Sequence, residues 1–186
     1  MPARLPIQAK SPFRIDPRPL REMSSARVGL LCASRALRSL QLPGQVQANL
    51  RLKTRRRGLA ESQWIEALLL LQIAGGDCPE DIVLLQHDAC LERGLGFALP
   101  KARTIRDFLE RFHDEDLAQS RPARSEQKSF ILPPSDGVKQ LQAVQAGLVG
   151  QVARKYQAAG QALTIATIDQ DATIIESHKE SALPHY

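Results

Sequence analysis

Two aspartates, Asp169 and Asp171, are spaced so that they could begin a metal site. They stand in the segment TIATIDQDATII, whose alternation predicts a β-strand. Residues i and i+2 of a strand share one face about 7 Å apart, and two carboxylates there repel unless a cation or solvent lies between them. A hard cation takes oxygen ligands from several chain segments, whereas one strand supplies at most two. The simpler interpretation is a polar strand end that enters a turn near Thr173.

Histidine and glycine motifs give no second candidate site. The four histidines fall on different segments, without the HxxxH or HExxH spacing of a helical metal site: His87, His113, His178 and His185. The sequence contains no G-x-S-x-G elbow, no phosphate-binding P-loop and no G-x-G-x-x-G fingerprint. Motifs therefore do not support a serine hydrolase, a P-loop NTPase or a dinucleotide-binding enzyme.

Positive charge is concentrated in the first third of the chain. Residues 1–60 hold 13 Lys and Arg against 2 Asp and Glu, a net charge of +11, whereas residues 61–186 carry a net charge of −6. Such asymmetry is typical of a protein that binds a polyanion, most simply DNA or RNA; the alternative is a solvated arm without a specific partner. The run RLKTRRRGL gives the first candidate DNA-binding residues: Arg51, Lys53, Arg55, Arg56 and Arg57.

The elements that would position these residues are helices. Apolar residues recur at helical spacing in residues 25–40 and in Glu61–Ala74, where Gly75-Gly76 supplies the stop. The segment QLPGQ between them predicts a break. Another helix is predicted to begin at Pro79, with three apolar residues facing the core: Ile82, Leu84 and Leu85.

A further short helix is predicted in LPKARTIRDFLERF, with Thr104 and Asp107 as a capping pair. Its start and outer side carry the second set of candidate DNA-binding residues: Lys101, Arg103 and Arg106. Short helices that end in a basic one are typical of a helix-turn-helix domain, whose last helix lies in a DNA groove. Plain solvation of the same charges is the alternative.

The chain divides into four predicted parts. Residues 1–24 form a basic Pro/Arg-rich arm, 25–118 a helical domain, 119–135 a polar linker and 136–186 the start of a second domain. This last part begins with a long helix, capped by Ser135 or Asp136 and ended by Gly160, and continues into the strand with the two aspartates. The predicted fold class is therefore mainly α.

Cysteine usage and hydropathy indicate the compartment. The three cysteines, Cys32, Cys78 and Cys90, have no CxxC spacing, which favours reduced thiols over a disulfide framework or a zinc cluster. No apolar run is long enough to cross a bilayer, and the N-terminus has no apolar core of a secretory signal. The prediction is a cytoplasmic protein without a membrane partner.

The order of these features resembles the N-terminal portion of a bacterial insertion-sequence DDE transposase. The resemblance covers residues 25–186 and is carried by the stretch from Arg57-Gly58-Leu59 to Gly75-Gly76, by the LP…R…FL segment and by Asp-x-Asp-x-Thr after the strand. It implies a helical, helix-turn-helix-like DNA-binding domain followed by an RNase H-like α/β domain. In that domain an Asp/Asp/Glu trio holds two Mg²⁺ for phosphodiester cleavage and strand transfer.

The resemblance also implies site residues and partners. The family's Asp-x-Thr pattern falls on Asp171-Ala172-Thr173, so Asp171 is the expected catalytic residue and Mg²⁺ ligand, with Asp169 on the same face as the fallback. The expected partners are double-stranded DNA at the terminal repeats of the element and a second copy or a full-length transposase. The family's second Asp and its Glu lie well downstream, whereas 13 residues follow Thr173 here. The RNase H-like domain is therefore expected to be incomplete.

Three functions remain as hypotheses. The first is a truncated transposase fragment that binds DNA in cut-and-paste transposition and is catalytically incompetent alone. The second is a non-catalytic DNA-binding regulator that inhibits or pairs with a full-length transposase. The third is a complete small metal-dependent nuclease in which Glu176 or Glu180 completes the site.

The fragment hypothesis predicts that this chain does not cut DNA by itself, because one strand cannot supply the ligands of a two-metal site. Purified protein with Mg²⁺ or Mn²⁺ should leave supercoiled plasmid intact over hours. The control is Asp171→Ala protein prepared in parallel. Metal-dependent nicking that Asp171→Ala abolishes would contradict the prediction and support the nuclease hypothesis.

Overall fold

The computed structural model describes residues 25–54, 57–120 and 133–161, which are mainly α-helical and contain no β-strand within those ranges. The helices are α1 Val28–Ser39, α2 Leu42–Asn49, α3 Glu61–Ile73, α4 Val83–Gln86, α5 Ala89–Leu95, α6 Ala102–Leu109, α7 Glu115–Gln119 and α8 Asp136–Ala158. Short 3-10 turns precede α4 at Pro79–Ile82 and follow α6 at Glu110–Phe112. The mainly α prediction is confirmed, while the predicted strand with Asp169 and Asp171 lies outside the described residues.

Helix α3 lies between two apolar clusters. The first cluster joins it to α1, α5 and α6 and contains Leu30, Ala67, Leu70, Leu71, Ile82, Leu85, Leu91, Leu95, Phe97, Leu99 and Ile105. The second joins it to α2, α6 and α8 and contains Leu42, Val46, Leu50, Ile65, Phe108 and Val144. Trp64 and Leu68 of α3 pack against both clusters. Because the two clusters share these side chains, they form one continuous core.

The long helix α8 packs on α2 through its N-terminal half. Val144 is 2 % exposed in the second cluster, and Leu141 and Leu148 pack beside it. Beyond that contact the helix is uncovered by the described residues: Val149 is 63 % and Tyr156 43 % exposed. The residues that follow the predicted linker thus share a core with α2 and α3, and the placement of a domain boundary at 119–135 stays a prediction.

A buried carboxylate ties α1 to α3 and α5. Glu66 is 3 % exposed, and its Oε1 accepts hydrogen bonds from Ser34 Oγ at 2.5 Å and Arg38 Nε at 2.9 Å. The Nη2 of Arg38 also donates to the carbonyl oxygen of Leu95 at 2.7 Å. One guanidinium therefore neutralises the buried charge and satisfies a carbonyl at the end of α5.

Several local predictions are confirmed by the observed helix ends. The helix α3 begins at Glu61, and Pro79 begins the 3-10 turn that leads into α4. Ser135 caps α8, where its Oγ accepts from the backbone N–H of Val138, and Gly160 follows the helix in the left-handed region at φ +72°. These ends were set by local capping and turn chemistry.

Two local predictions were wrong, and one helix was missed. The break predicted at QLPGQ is present, because α1 ends at Ser39, but α2 then begins at Leu42 with Pro43 in its first turn and was not predicted. Thr104 does not cap α6, which begins at Ala102; its Oγ1 instead donates to the carbonyl oxygen of Lys101 at 2.7 Å. Leu84 is 56 % exposed rather than buried.

Asp88 is the N-cap of α5 and also holds the start of the described chain. Ser25 Oγ donates to Asp88 Oδ2 at 2.5 Å, and the backbone N–H of Leu91 donates to Oδ1 at 2.8 Å. The hydrogen bond from Ser25, followed by that from Leu91, lowers the pKa of Asp88 because both favour the ionised carboxylate, against the opposing effect of burial. The ionised form of Asp88 thus stabilises the contact between Ser25, which precedes α1, and the start of α5.

Arg38→Met should destabilise the fold more than Arg35→Met. It leaves the buried Glu66 carboxylate with only Ser34 as a side-chain partner in the described network, at a cost of about 2 kcal/mol of the free energy of unfolding. Arg35 is exposed on the same helix, so its substitution is the matched control, within about 0.5 kcal/mol of wild type. Urea unfolding followed by circular dichroism measures both. Equal effects would show that the Glu66 network does not stabilise the fold.

Ser25→Ala should destabilise the protein at neutral pH and lose that effect in acid. The lowered folded-state pKa of Asp88 contributes stability above the unfolded value of about 3.9, and this stability is lost as the pH falls through the folded pKa. Urea midpoints from pH 2.5 to 7 should show wild type and variant converging below about pH 4. Ser39→Ala is the control, because Ser39 donates to a carbonyl oxygen; its effect should not vary with pH. A pH-independent Ser25→Ala effect would contradict the assignment.

Candidate nucleic-acid interface

The structure places the predicted basic residues on two separate elements. Arg51, Lys53 and Arg57 lie in the connection between α2 and α3, residues 50–60, whereas Arg55 and Arg56 fall in its undescribed part. Lys101 precedes the first turn of α6, and Arg103 and Arg106 lie on that helix. Asp169 and Asp171 lie outside the described residues, so the proposed catalytic and metal roles stay predictions.

The α2–α3 connection lies beside both ends of α6. Gly137 of α8 is approached by Leu52 and Phe112, so the α2–α3 connection meets the C-terminal end of α6 there. Leu59 of the connection and Ala102 in the first turn of α6 pack against the same first cluster.

The α2–α3 connection is fixed at both ends by apolar contacts. Leu52 packs against the second cluster and Leu59 against the first, and the backbone N–H of Arg51 donates to Oε1 of Gln140 at 2.8 Å. Gly58 turns the chain between them in the left-handed region at φ +79°, where a side chain would be strained. Arg51 and Arg57 are exposed on this anchored segment.

The charge around the connection has one sign over a long stretch of sequence. Residues 23–60 contain no Asp or Glu and eight basic residues: Arg27, Arg35, Arg38, Arg51, Lys53, Arg55, Arg56 and Arg57. Of these, Arg38 is neutralised by Glu66. Polyanion binding requires such an uncompensated cationic surface.

The outer side of α6 differs, because its basic residues alternate with acids. Ile105 and Phe108 face the core, which leaves Arg103, Arg106, Asp107 and Glu110 exposed on the opposite side. Arg106 also forms an ion pair with Glu80. The net charge of this side is close to zero, which makes α6 a weaker phosphate-binding surface than the α2–α3 connection.

Lys53 differs from its basic neighbours in that its ammonium group is already engaged. Its Nζ donates to the carbonyl oxygen of Arg57 at 3.0 Å and to that of Leu59 at 2.5 Å. Because an ammonium has three donors, one remains for a ligand. The sequence indicated the charge of Lys53 but gave no sign of these contacts.

Arg35 is a cationic residue that the DNA-binding prediction left out. It is exposed on α1 and lines a groove of about 430 Å³ between α1 and α5, together with Val28, Leu31, Cys32, Ser34, Arg38 and Gly94. Arg38 in the same groove is paired with Glu66, so the groove gains its net charge from Arg35. The sequence did contain a signal for Arg35: it lies in residues 23–60, which have no Asp or Glu, so it could have been counted among the candidate DNA-binding residues.

The described acids and histidines form no metal site. No group of three or more His, Cys, Asp or Glu in residues 25–54, 57–120 and 133–161 could hold a metal ion. Asp88 is the N-cap of α5, and Asp81 accepts the backbone N–H groups of Cys78 and Asp77, which lower its pKa. The Mg²⁺ expected from the resemblance therefore has no donor set in this part of the chain.

Comparison with known proteins identifies no relative. No protein-family model, no curated protein and no solved structure matches this chain significantly. Over the described ranges, no helix is both long and apolar enough to cross a membrane. The exposed basic segment and its geometry are therefore the features of this chain that bear on its function.

Proposed function

We propose that this chain binds double-stranded DNA through the α2–α3 connection, as the DNA-binding part of a DDE transposase-like protein. The observation that carries the proposal is the exposed, acid-free segment with Arg51 and Arg57, anchored to the core at Leu52 and Leu59. Arginine side chains on a fixed backbone suit phosphate oxygens, which they bind through two parallel hydrogen bonds.

Duplex DNA fits this surface better than single strands. Binding of single strands relies on aromatic side chains on which bases stack, and aromatic residues make up 4 % of this sequence. Trp64 stacks on Phe108 with ring centroids 5.0 Å apart, and Phe112 meets Phe108 edge-on at 5.7 Å, so these three rings pack against the core and do not form an open stacking surface. Phosphate contacts remain as the main source of affinity.

The transposase part of the proposal rests on the resemblance alone. Asp171, with Asp169 as the fallback, would supply the first ligand of a Mg²⁺ site, and the described residues contain no group of three or more candidate ligands. We therefore assign no catalytic step to this chain, and DNA binding by the α2–α3 connection is expected to be independent of Mg²⁺.

A regulatory function is supported by the same surface. The α2–α3 connection is built within residues 25–161 and uses neither Asp169 nor Asp171. A chain with this surface would compete for DNA ends with an intact transposase without cutting them. Inhibition of an intact transposase on mixing distinguishes this function, because a fragment without a regulatory role would leave that activity unchanged.

Arg51→Gln/Arg57→Gln should weaken duplex binding about tenfold at 100 mM salt, because two phosphate contacts are lost. The slope of log K against log salt should fall by about 1.8 in magnitude. Fluorescence anisotropy with a labelled 30-base-pair duplex, measured with Mg²⁺ and with EDTA, gives both quantities.

Lys101→Gln/Arg103→Gln is the matched control, since it removes the same charge from the mixed surface of α6 and should weaken binding less than threefold. Equal losses in the two double variants would show that only net charge matters. The proposal would be contradicted if the wild-type protein bound neither an arbitrary duplex nor a duplex with the terminal repeats of the element.

A further inference from the structure

The carboxylate of Glu61 joins the two ends of the α2–α3 connection. Its Oε1 accepts the backbone N–H groups of Leu52 at 2.5 Å and Lys53 at 2.8 Å. Glu61 is the first residue of α3, whereas Leu52 and Lys53 follow α2. The hydrogen bond from Leu52 therefore joins residues nine positions apart, at the two ends of the connection.

Lys53 closes the same segment with its side chain. Its Nζ donates two hydrogen bonds, to the carbonyl oxygens of Arg57 and Leu59. These bonds hold the C-terminal part of the connection close to Lys53 in its N-terminal part. Lys53 thus participates twice, through its backbone N–H to Glu61 and through its ammonium group to the two carbonyls. We call these four hydrogen bonds, made by Lys53 and Glu61, the brace.

We infer that Glu61 and Lys53 are positioning residues for phosphate binding: the brace holds the α2–α3 connection in the shape that presents Arg51 and Arg57. The inference rests on the proposed function. It gives Lys53 a role through the backbone of the connection instead of a direct phosphate contact, and it gives an acidic residue a favourable role in binding a polyanion.

The two physical effects of Glu61 have opposite signs. Its negative charge lies at the foot of a basic segment and opposes the approach of phosphates. Its hydrogen bonds fix the backbone before binding, which lowers the entropy that binding must remove. Glu61 also supplies the hydrogen-bond acceptor for two backbone N–H groups, since among the described residues no other acceptor contacts the N–H of Leu52 or Lys53.

The pair Glu61→Ala and Glu61→Gln separates these effects. Both remove the charge, but glutamine keeps a carbonyl oxygen that accepts the two N–H groups. Glu61→Gln should bind duplex about twofold more tightly than wild type, through loss of repulsion. Glu61→Ala should bind about fivefold more weakly, because the connection must be ordered on binding. Anisotropy titrations at 100 mM salt measure both variants.

Lys53 gives an independent pair of variants. Lys53→Met removes the ammonium and its two carbonyl contacts, and should weaken binding about tenfold, whereas Lys53→Arg keeps charge and donors and should recover most of that loss. The slope of log K against log salt should change by less than 0.9 in Lys53→Met, because the third donor is not a full phosphate contact.

Amide hydrogen exchange supplies a readout that does not depend on DNA. The amides of Leu52 and Lys53 should exchange about tenfold faster in Glu61→Ala than in wild type and at nearly wild-type rates in Glu61→Gln, at unchanged helix content by circular dichroism. This measurement also shows whether Glu61→Ala folds; if it does not, the Lys53 pair carries the test.

The outcomes are distinguishable. If wild type binds duplex and Glu61→Ala binds as tightly as Glu61→Gln, the brace does not position the arginines and the inference fails, while the proposed function stands. If wild type binds no duplex, the proposed function fails, and with it the positioning role. If Leu52 and Lys53 exchange equally in both Glu61 variants, the brace itself is overturned.

Discussion

Burial of α3 from two sides is the constraint on which the rest of the structure depends. Its Ala67, Leu70 and Leu71 fill the cluster shared with α5, and its Ile65 fills the cluster shared with α2 and α8. The same helix carries Glu66 toward α1 and begins at Glu61, which fixes the α2–α3 connection. The position of the exposed arginines relative to the core is therefore a consequence of how one apolar helix is covered.

Elements with strong local signals could be predicted from the sequence. The element that was not predicted, α2, depends on contacts with residues distant in sequence. The apolar repeat of α3, the proline before α4 and the cap of α8 at Ser135 all act within a few residues. The helix α2 has Pro and Gly in its first turn, and these residues predict a break in helical structure. It forms because Leu42, Val46 and Leu50 pack against α3 and α8, and no local pattern contains that contact.

The candidate site shows the same division. The sequence identifies which residues are basic, but it does not show which are neutralised. Arg38 pairs with Glu66 over 28 residues and Arg106 with Glu80 over 26, and neither separation matches a local rule such as i, i+4. The ammonium of Lys53 is bound by carbonyls, which charge counting ignores. Net charge therefore predicted a polyanion partner, whereas the structure was needed to rank the two basic groups.

The position of Trp64 makes the core visible to spectroscopy. It is the single tryptophan of the chain, and it lies where both apolar clusters meet, stacked on Phe108 at 5.0 Å. An indole in that place changes its emission when either cluster loosens, since each contributes to its surroundings. The protein thus contains a natural fluorophore where its two apolar clusters meet, and the emission spectrum of Trp64 reports the loosening of either cluster without any added label.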